Sequence, residues 1–291
     1  MQVSQEDFSD AALVLLGHGT TLNPESSAPV YQHAAKLRRR GCFAEVREAF
    51  WKQDPQVKEV LAGLSAARVF VAPLFISEGY FSEEVIPREL GFVGKGKEGF
   101  SRVQRRGGKT GKQQNLYYCK PIGTHESMTN VLLARAREVV AGFPFPRAPK
   151  PEATTLFIAG HGTERNENSR KVIEQQAELI RGREIYAAVH AVFLEEEPRL
   201  KNCYQIGVTK NFVVVPFFMS EGLHVQEDIP VLLGEPKRIV EQRLQKGQPA
   251  WRNPTERKDK LVWLSASVGS EPLIAEVILE RVREASSSFA G

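Results

Sequence analysis

Three residues of this chain carry side chains suited to binding a divalent metal or moving a proton: His161, Glu195 and His224. Each follows an apolar run that reads as a buried strand. His161 comes after LFIAG, Glu195 ends AVFLE, and His224 ends FFMSEGLH. In parallel sheets, ligands bind beyond the carboxyl ends of the strands, so residues distant in sequence meet there. Two imidazoles and a carboxylate suit Co2+, Fe2+, Ni2+ or Zn2+, and both group types exchange protons near neutral pH. Glycines on either side of His161 let backbone come close to a ligand. Each residue also has a plain structural reading. His161 could complete a turn, His224 could cap a following helix, and Glu195 begins a Glu195-Glu196-Glu197 run whose default is a solvated turn. Of the other histidines, His190 lies inside a strand and reads as packed core. His33, in a helix, is either structural or exposed. His125, after a strand in PIGTH, either borders the same region or stands apart from it.

These residues sit in the second of two copies of one pattern, and a repeat of this kind decides the architecture. LVLLGHGT at 13–20 matches LFIAGHGT at 156–163, so His18 aligns with His161 at an offset of 143 positions. The same offset aligns PLFISEG at 73–79 with PFFMSEG at 216–222, and Ile86-Pro87 with Ile229-Pro230. A small shift later aligns Ile122-Gly123 with Val268-Gly269. The copies differ where chemistry is expected: Phe81 stands in the place of His224, and Lys52 in that of Glu195. The first copy is therefore expected to lack a metal site.

Each copy alternates strand and helix patterns. In the first, residues 11–16, 44–51, 69–76 and 116–122 read as strands, and 29–40, 56–64, 82 onward and 131–140 as helices. The second has strand patterns near Leu156, Tyr186, Phe212 and Leu261. Alternation of this kind gives a mostly parallel sheet covered by helices. The expected fold is α/β, with two homologous parallel-sheet domains. Pro144, Pro146, Pro149 and Pro151 make 142–153 a stiff extended connection. The expected domains are residues 1–143 and 154–291, with a linker at 144–153.

The 291 residues, 42% hydrophobic and 25% charged, have an ordinary globular composition. No apolar run approaches the ~18 residues of a membrane span. The polar start of the chain lacks the features of a signal peptide, and three scattered cysteines argue against a disulfide framework. A cytoplasmic chain without a membrane partner is the expectation. Net charge is only +4, and gives no reason to expect nucleic acid. Residues 91–115 hold seven Lys or Arg against Glu98 alone, among many glycines. This segment is expected to be a mobile loop, either merely solvated or a cationic flap over an anionic ligand. Only Phe100 interleaves its charges, which disfavours base stacking. Dinucleotide, phosphate-loop and nucleophile-elbow motifs are absent.

The combination of strand-Gly-His-Gly-Thr, Phe-Leu-Glu before a proline, and Pro-Phe-Phe-x-Ser-x-Gly-x-His with Asp-Ile-Pro beyond resembles the class II chelatases, in particular the CbiX-like sirohydrochlorin chelatases. The resemblance runs from about Leu13 to Glu284 and leaves two basic insertions outside it. It implies two chelatase-like domains facing each other across a cleft, with the tetrapyrrole held there. It implies His161 and His224 as metal ligands and, with Glu195 as acidic partner, as the catalytic set. His18, Tyr80 and Phe81 would form the opposite, metal-free wall against the tetrapyrrole. The implied activity is insertion of Co2+ or Fe2+, with Ni2+ also compatible, into sirohydrochlorin on the way to cobalamin or siroheme. The metal is then a substrate, and no organic cofactor is needed. A non-catalytic metal or tetrapyrrole carrier is the alternative. The chain is expected to be a monomer or a homodimer.

Overall fold

The computed structural model describes residues 7–20, 26–92, 101–107, 111–162 and 167–289. The chain forms two compact units, one made of residues 1–125 and 272–291, the other of residues 126–271.

The first unit is built on β1 (Phe8–Gly17), α1 (Ala28–Arg40), β2 (Phe43–Phe50), α2 (Val57–Ala62) and β3 (Arg68–Pro73). A widened helical turn, Phe81–Val85, leads into the short α3 (Ile86–Glu89), and β4 (Ser101–Arg106) and β5 (Gln113–Tyr118) complete the sheet. The chain then forms α4 (Met128–Gly142). The second unit repeats the plan with β6 (Thr154–Gly160), α5 (Glu167–Arg181), β7 (Ala188–Phe193), α6 (Cys203–Ile206) and β8 (Asn211–Pro216). Another widened turn, His224–Asp228, runs into α7 (Ile229–Leu232), followed by α8 (Lys237–Gln245), β9 (Thr255–Arg257) and β10 (Lys260–Leu264). Last comes α9 (Ile274–Ser287).

The two sheets have matching strand orders, β2-β1-β3-β5-β4 and β7-β6-β8-β10-β9. Four strands of each are parallel, and the edge strands β4 and β9 run antiparallel to β5 and β10. The α/β class expected from the alternating pattern is what the chain forms. Central strands are buried on both faces, as their unbroken apolar runs require: residues 11–16 of β1 are wholly inaccessible, and all of β6 is buried. Helix α1 begins with Pro29 in its first turn and ends at Gly41, whose left-handed backbone (φ 66°) returns an N–H to the Arg38 carbonyl. His33 lies on its buried face, so the structural reading of that residue holds over the exposed one.

The units do not part at the proline-rich segment. Helix α4 follows β5 in sequence but packs on β8, β10 and α5 of the second unit, and α9 follows β10 but packs on α1, β3 and β5 of the first. Each sheet is thus completed by a helix from the other half of the sequence. By packing, the divisions fall after His125 and after Glu271, beside the expected 1–143 and 154–291 of the sequence repeat. Both helices bury a conserved-in-register arginine. Arg135 donates to the Ser267 carbonyl (2.9 Å) and Ser270 Oγ (2.6 Å). Arg281, 146 positions later, donates to the Pro121 carbonyl (3.1 Å) and Thr124 Oγ1 (2.6 Å), themselves 146 positions before the partners of Arg135.

The basic segment is corrected. Its described part is an edge hairpin, not a loop: β4 and β5 pair from Ser101↔Tyr118 to Arg106↔Gln113. The alternation of exposed Arg102, Gln104 and Arg106 with half-buried Val103 and Arg105 is that of a strand with one covered face. Since β5 runs parallel to β3, Arg106 and Lys112 lie at the end of the sheet opposite to His18, five residue steps or about 17 Å along the strand. Arg105 is held by Gln114 and the Leu61 carbonyl, and Arg102 lies over the Phe289 ring. Lys95, Lys97 and Lys109 fall outside the described residues.

Candidate metal-handling site of the second unit

Three loops at the carboxyl edge of the second sheet bring the sequence-predicted residues together. The first follows β6. Gly160 precedes His161 because a Cβ there would stand 1.9 Å from Ile173 Cδ1, and Gly162 follows because its backbone is left-handed (φ 66°) with Glu196 and Phe193 atoms 2.7 Å from any added Cβ. The second loop follows β7 and is laced to the first by backbone hydrogen bonds, Leu194 N–H to the Gly160 carbonyl and Glu195 N–H to the His161 carbonyl (3.2 Å). These bonds set Glu195 beside His161, with its Oε1 3.7 Å from His161 Nε2. The third loop follows β8 and enters the widened turn that begins at His224.

The His161 and His224 rings meet edge to face, 4.6 Å between centroids at 85°. His161 Nδ1 lies 3.0 Å from the Gly162 carbonyl, an acceptor only, which makes Nδ1 the protonated nitrogen and leaves the Nε2 lone pair free. His224 Nδ1 lies 2.7 Å from Asp228 Oδ2. The site is open to water: the side chains of His161, Glu195 and His224 are 35%, 59% and 48% exposed. Among the described residues, no three His, Cys, Asp or Glu side chains gather into a metal cage. The arrangement is two imidazoles with a carboxylate alongside, which leaves most of a metal's coordination positions unfilled. Closed four-ligand sites retain their metal, whereas sites that do chemistry keep positions open.

Of the three consecutive glutamates, only Glu195 adjoins His161. Glu196 turns to Arg170 (3.6 Å), and the Glu197 carboxylate accepts from the Arg199 N–H (3.1 Å) and Asn202 Nδ2 (3.3 Å).

The first unit has the same scaffold with other contents. Trp51 N–H and Lys52 N–H bond the Gly17 and His18 carbonyls just as Leu194 and Glu195 bond theirs. His18 Nδ1 likewise faces the Gly19 carbonyl (2.9 Å). Its ring neighbour is Phe81, 5.5 Å away, which in turn packs edge-on against Trp51 at 5.3 Å. His18 is exposed, Tyr80 is 65% exposed, and Phe81 is half-buried against the core. His125 lies between Glu280 (3.4 Å) and Glu284 (3.3 Å) of α9. His190 stacks on Phe157 (5.6 Å), and burial, with Arg181 nearby, pulls its pKa below that of free imidazole. Asp228, present in the sequence only as the start of Asp-Ile-Pro, was given no role there, although its spacing of four from His224 was a usable signal.

Comparison with solved structures gives the class. A multi-domain protein of Deinococcus radiodurans, described as structurally similar to chelatases, superimposes with a TM-score of 0.73 at 29% identity; the match covers 94% of this chain and 55% of that longer one. SirB from Bacillus subtilis with Fe3+ shares the fold at a TM-score of 0.66 and 18% identity, over 96% of both chains. The CbiX family model matches twice, over residues 12–139 and 155–285, and the chain belongs to the CbiX family. It is also 40% identical, over 95% of its length and 92% of the relative's, to the "Probable sirohydrochlorin cobaltochelatase" of Halobacterium salinarum. Among the described residues, no helix is long and apolar enough to cross a membrane.

Proposed function

We propose that the chain is a sirohydrochlorin chelatase that inserts Co2+ or Fe2+ into the macrocycle, in the synthesis of cobalamin or siroheme. The observation that supports this reading is the His161–His224 pair, 4.6 Å apart at the ends of neighbouring strands. The balanced step joins one divalent metal to one macrocycle and releases two pyrrole N–H protons. The two imidazoles hold the metal while water and pyrrole nitrogens exchange in the remaining positions. Glu195, beside His161 and open to solvent, takes up released protons and passes them to bulk water. The name of the Halobacterium relative favours cobalt. His18, Tyr80 and Phe81, at the equivalent end of the first sheet, are flat or aromatic groups suited to lie against a tetrapyrrole.

The test is anaerobic incubation of the purified chain with sirohydrochlorin and Co2+, Fe2+ or Ni2+ in turn, followed by absorbance. Metal-dependent spectral change well above the uncatalysed rate is expected, and its loss in His161→Ala and His224→Ala. Tight metal binding without insertion would make the chain a carrier instead.

A further inference from the structure

We infer that Asp228 is a positioning residue for the metal pair: it holds the His224 imidazole in the tautomer and ring setting that present Nε2 beside His161. The inference rests on the reading of His161 and His224 as the metal-holding pair.

The geometry is direct. A neutral imidazole has one N–H and one lone pair, and the acceptor at one nitrogen decides which is which. Asp228 Oδ2, 2.7 Å from His224 Nδ1, can only accept when ionised, so it fixes the proton on Nδ1 and leaves Nε2 to bind metal. His161 reaches the same state by another route, through the Gly162 carbonyl at 3.0 Å. Each imidazole of the pair is therefore set independently, one by backbone and one by a carboxylate. Support of this kind behind a ligating histidine is worth about 10–100-fold in metal affinity.

The duplication supplies an internal control. At the offset of 143, Phe81 replaces His224 and Val85 replaces Asp228, so the first copy lacks both members of the pair. The widened turn survives their absence. In both copies the N–H after the turn reaches back five residues, from Ile86 to the Phe81 carbonyl and from Ile229 to the His224 carbonyl. The backbone therefore does not need the His–Asp contact. Nor does burial call for it, since the two side chains are 48% and 52% exposed, and an exposed ion pair adds little to stability. Phe218, 6.2 Å from the His224 ring, constrains ring position but carries no acceptor to choose a tautomer.

The experiment uses the full chain labelled with 15N-histidine, without metal, at about pH 8, where free imidazole is neutral. Long-range proton–nitrogen spectra should show His224 protonated at Nδ1 in the unaltered chain and in Asp228→Asn, whose carbonyl can still accept. Asp228→Ala should shift His224 towards Nε2 protonation. Titration with Co2+ should then show affinity lowered about 10–100-fold in Asp228→Ala and largely restored in Asp228→Asn. An unchanged His224 tautomer in Asp228→Ala, or Co2+ affinity that falls on His224→Ala but not on Asp228→Ala, overturns the inference alone. Co2+ binding indifferent to His224→Ala overturns the reading of the pair, and the inference with it.

Discussion

Glu195 and Lys52 are fixed by equivalent backbone hydrogen bonds and carry opposite charges. A carboxylate beside an imidazole can receive a proton, and an ammonium cannot. Glu195→Gln keeps shape and polarity while removing basicity. It is expected to lower kcat by about 10²–10⁴-fold and to leave Co2+ affinity within a few-fold, as read from steady-state kinetics and metal titration. Collapse of metal binding would instead make Glu195 a ligand, and normal turnover would remove it from the chemistry. At this scale the sequence exposed the residue types and their strand-end positions, because an unbroken apolar run followed by Gly-His-Gly is hard to read otherwise. It could not choose among Glu195, Glu196 and Glu197. That choice depends on the Glu195 N–H bonding the His161 carbonyl and on Arg170 drawing Glu196 aside. Asp228 was hidden for a related reason: an exposed aspartate on a helical turn is ordinarily just solvated.

The exchanged helices were not legible at all. An apolar stripe such as that of α9 shows that a helix packs on a sheet, but when two homologous sheets are present either one would accept it. The arginine contacts do not tell them apart, since Arg281 and Arg135 bond equivalent positions; the contacts of His125 with Glu280 and Glu284 belong to the first sheet, and Arg281 also bonds Glu284. The Glu284 carboxyl feels burial, which alone would raise its pKa, yet hydrogen bonds from His125 and Arg281 bring it down to about 2 from 4.5. A carboxyl depressed on folding contributes stability that is complete above its unfolded pKa and is lost as pH falls through the folded one. The unaltered chain should therefore unfold at a higher temperature than Glu284→Gln at pH 6, with the gap closing between pH 4.5 and about 2. Melting curves across that range check it, and a gap that stays constant would assign the effect to something other than ionisation. The basic hairpin carries a similar lesson. Glycine and lysine composition suggested a loop, but the alternation in 101–106 was a strand signal that the charge count obscured.

Across the whole molecule, one plan appears twice, with the His161–His224 pair present in only the second copy. The duplication was legible because its motifs keep a constant offset over a long stretch. The interleaving of the halves was not, and it has a consequence for how the chain comes to be folded. The second unit is one contiguous stretch, residues 126–271, whereas the first is closed by residues 272–291, made after the whole of the second. Ile274, Val277, Ile278, Leu279 and Val282 of α9 are all buried. At about 1.5–3 kcal/mol each, their docking is on the order of 10 kcal/mol, comparable with the whole stability of a domain at about 5–15 kcal/mol. During synthesis the N-terminal sheet therefore emerges before the second unit but is completed after it, with its apolar face uncovered until α9 has been made. A chain stopped after Glu271 should keep a protected second unit with the His161–His224 pair, while β1, β2 and β3 exchange amide hydrogens freely. Equal protection of both units in hydrogen exchange would contradict this. The interval before α9 arrives is also when that bare sheet is most open to misassembly with another nascent chain, so loss of soluble yield should track damage to α9 more closely than damage to α4.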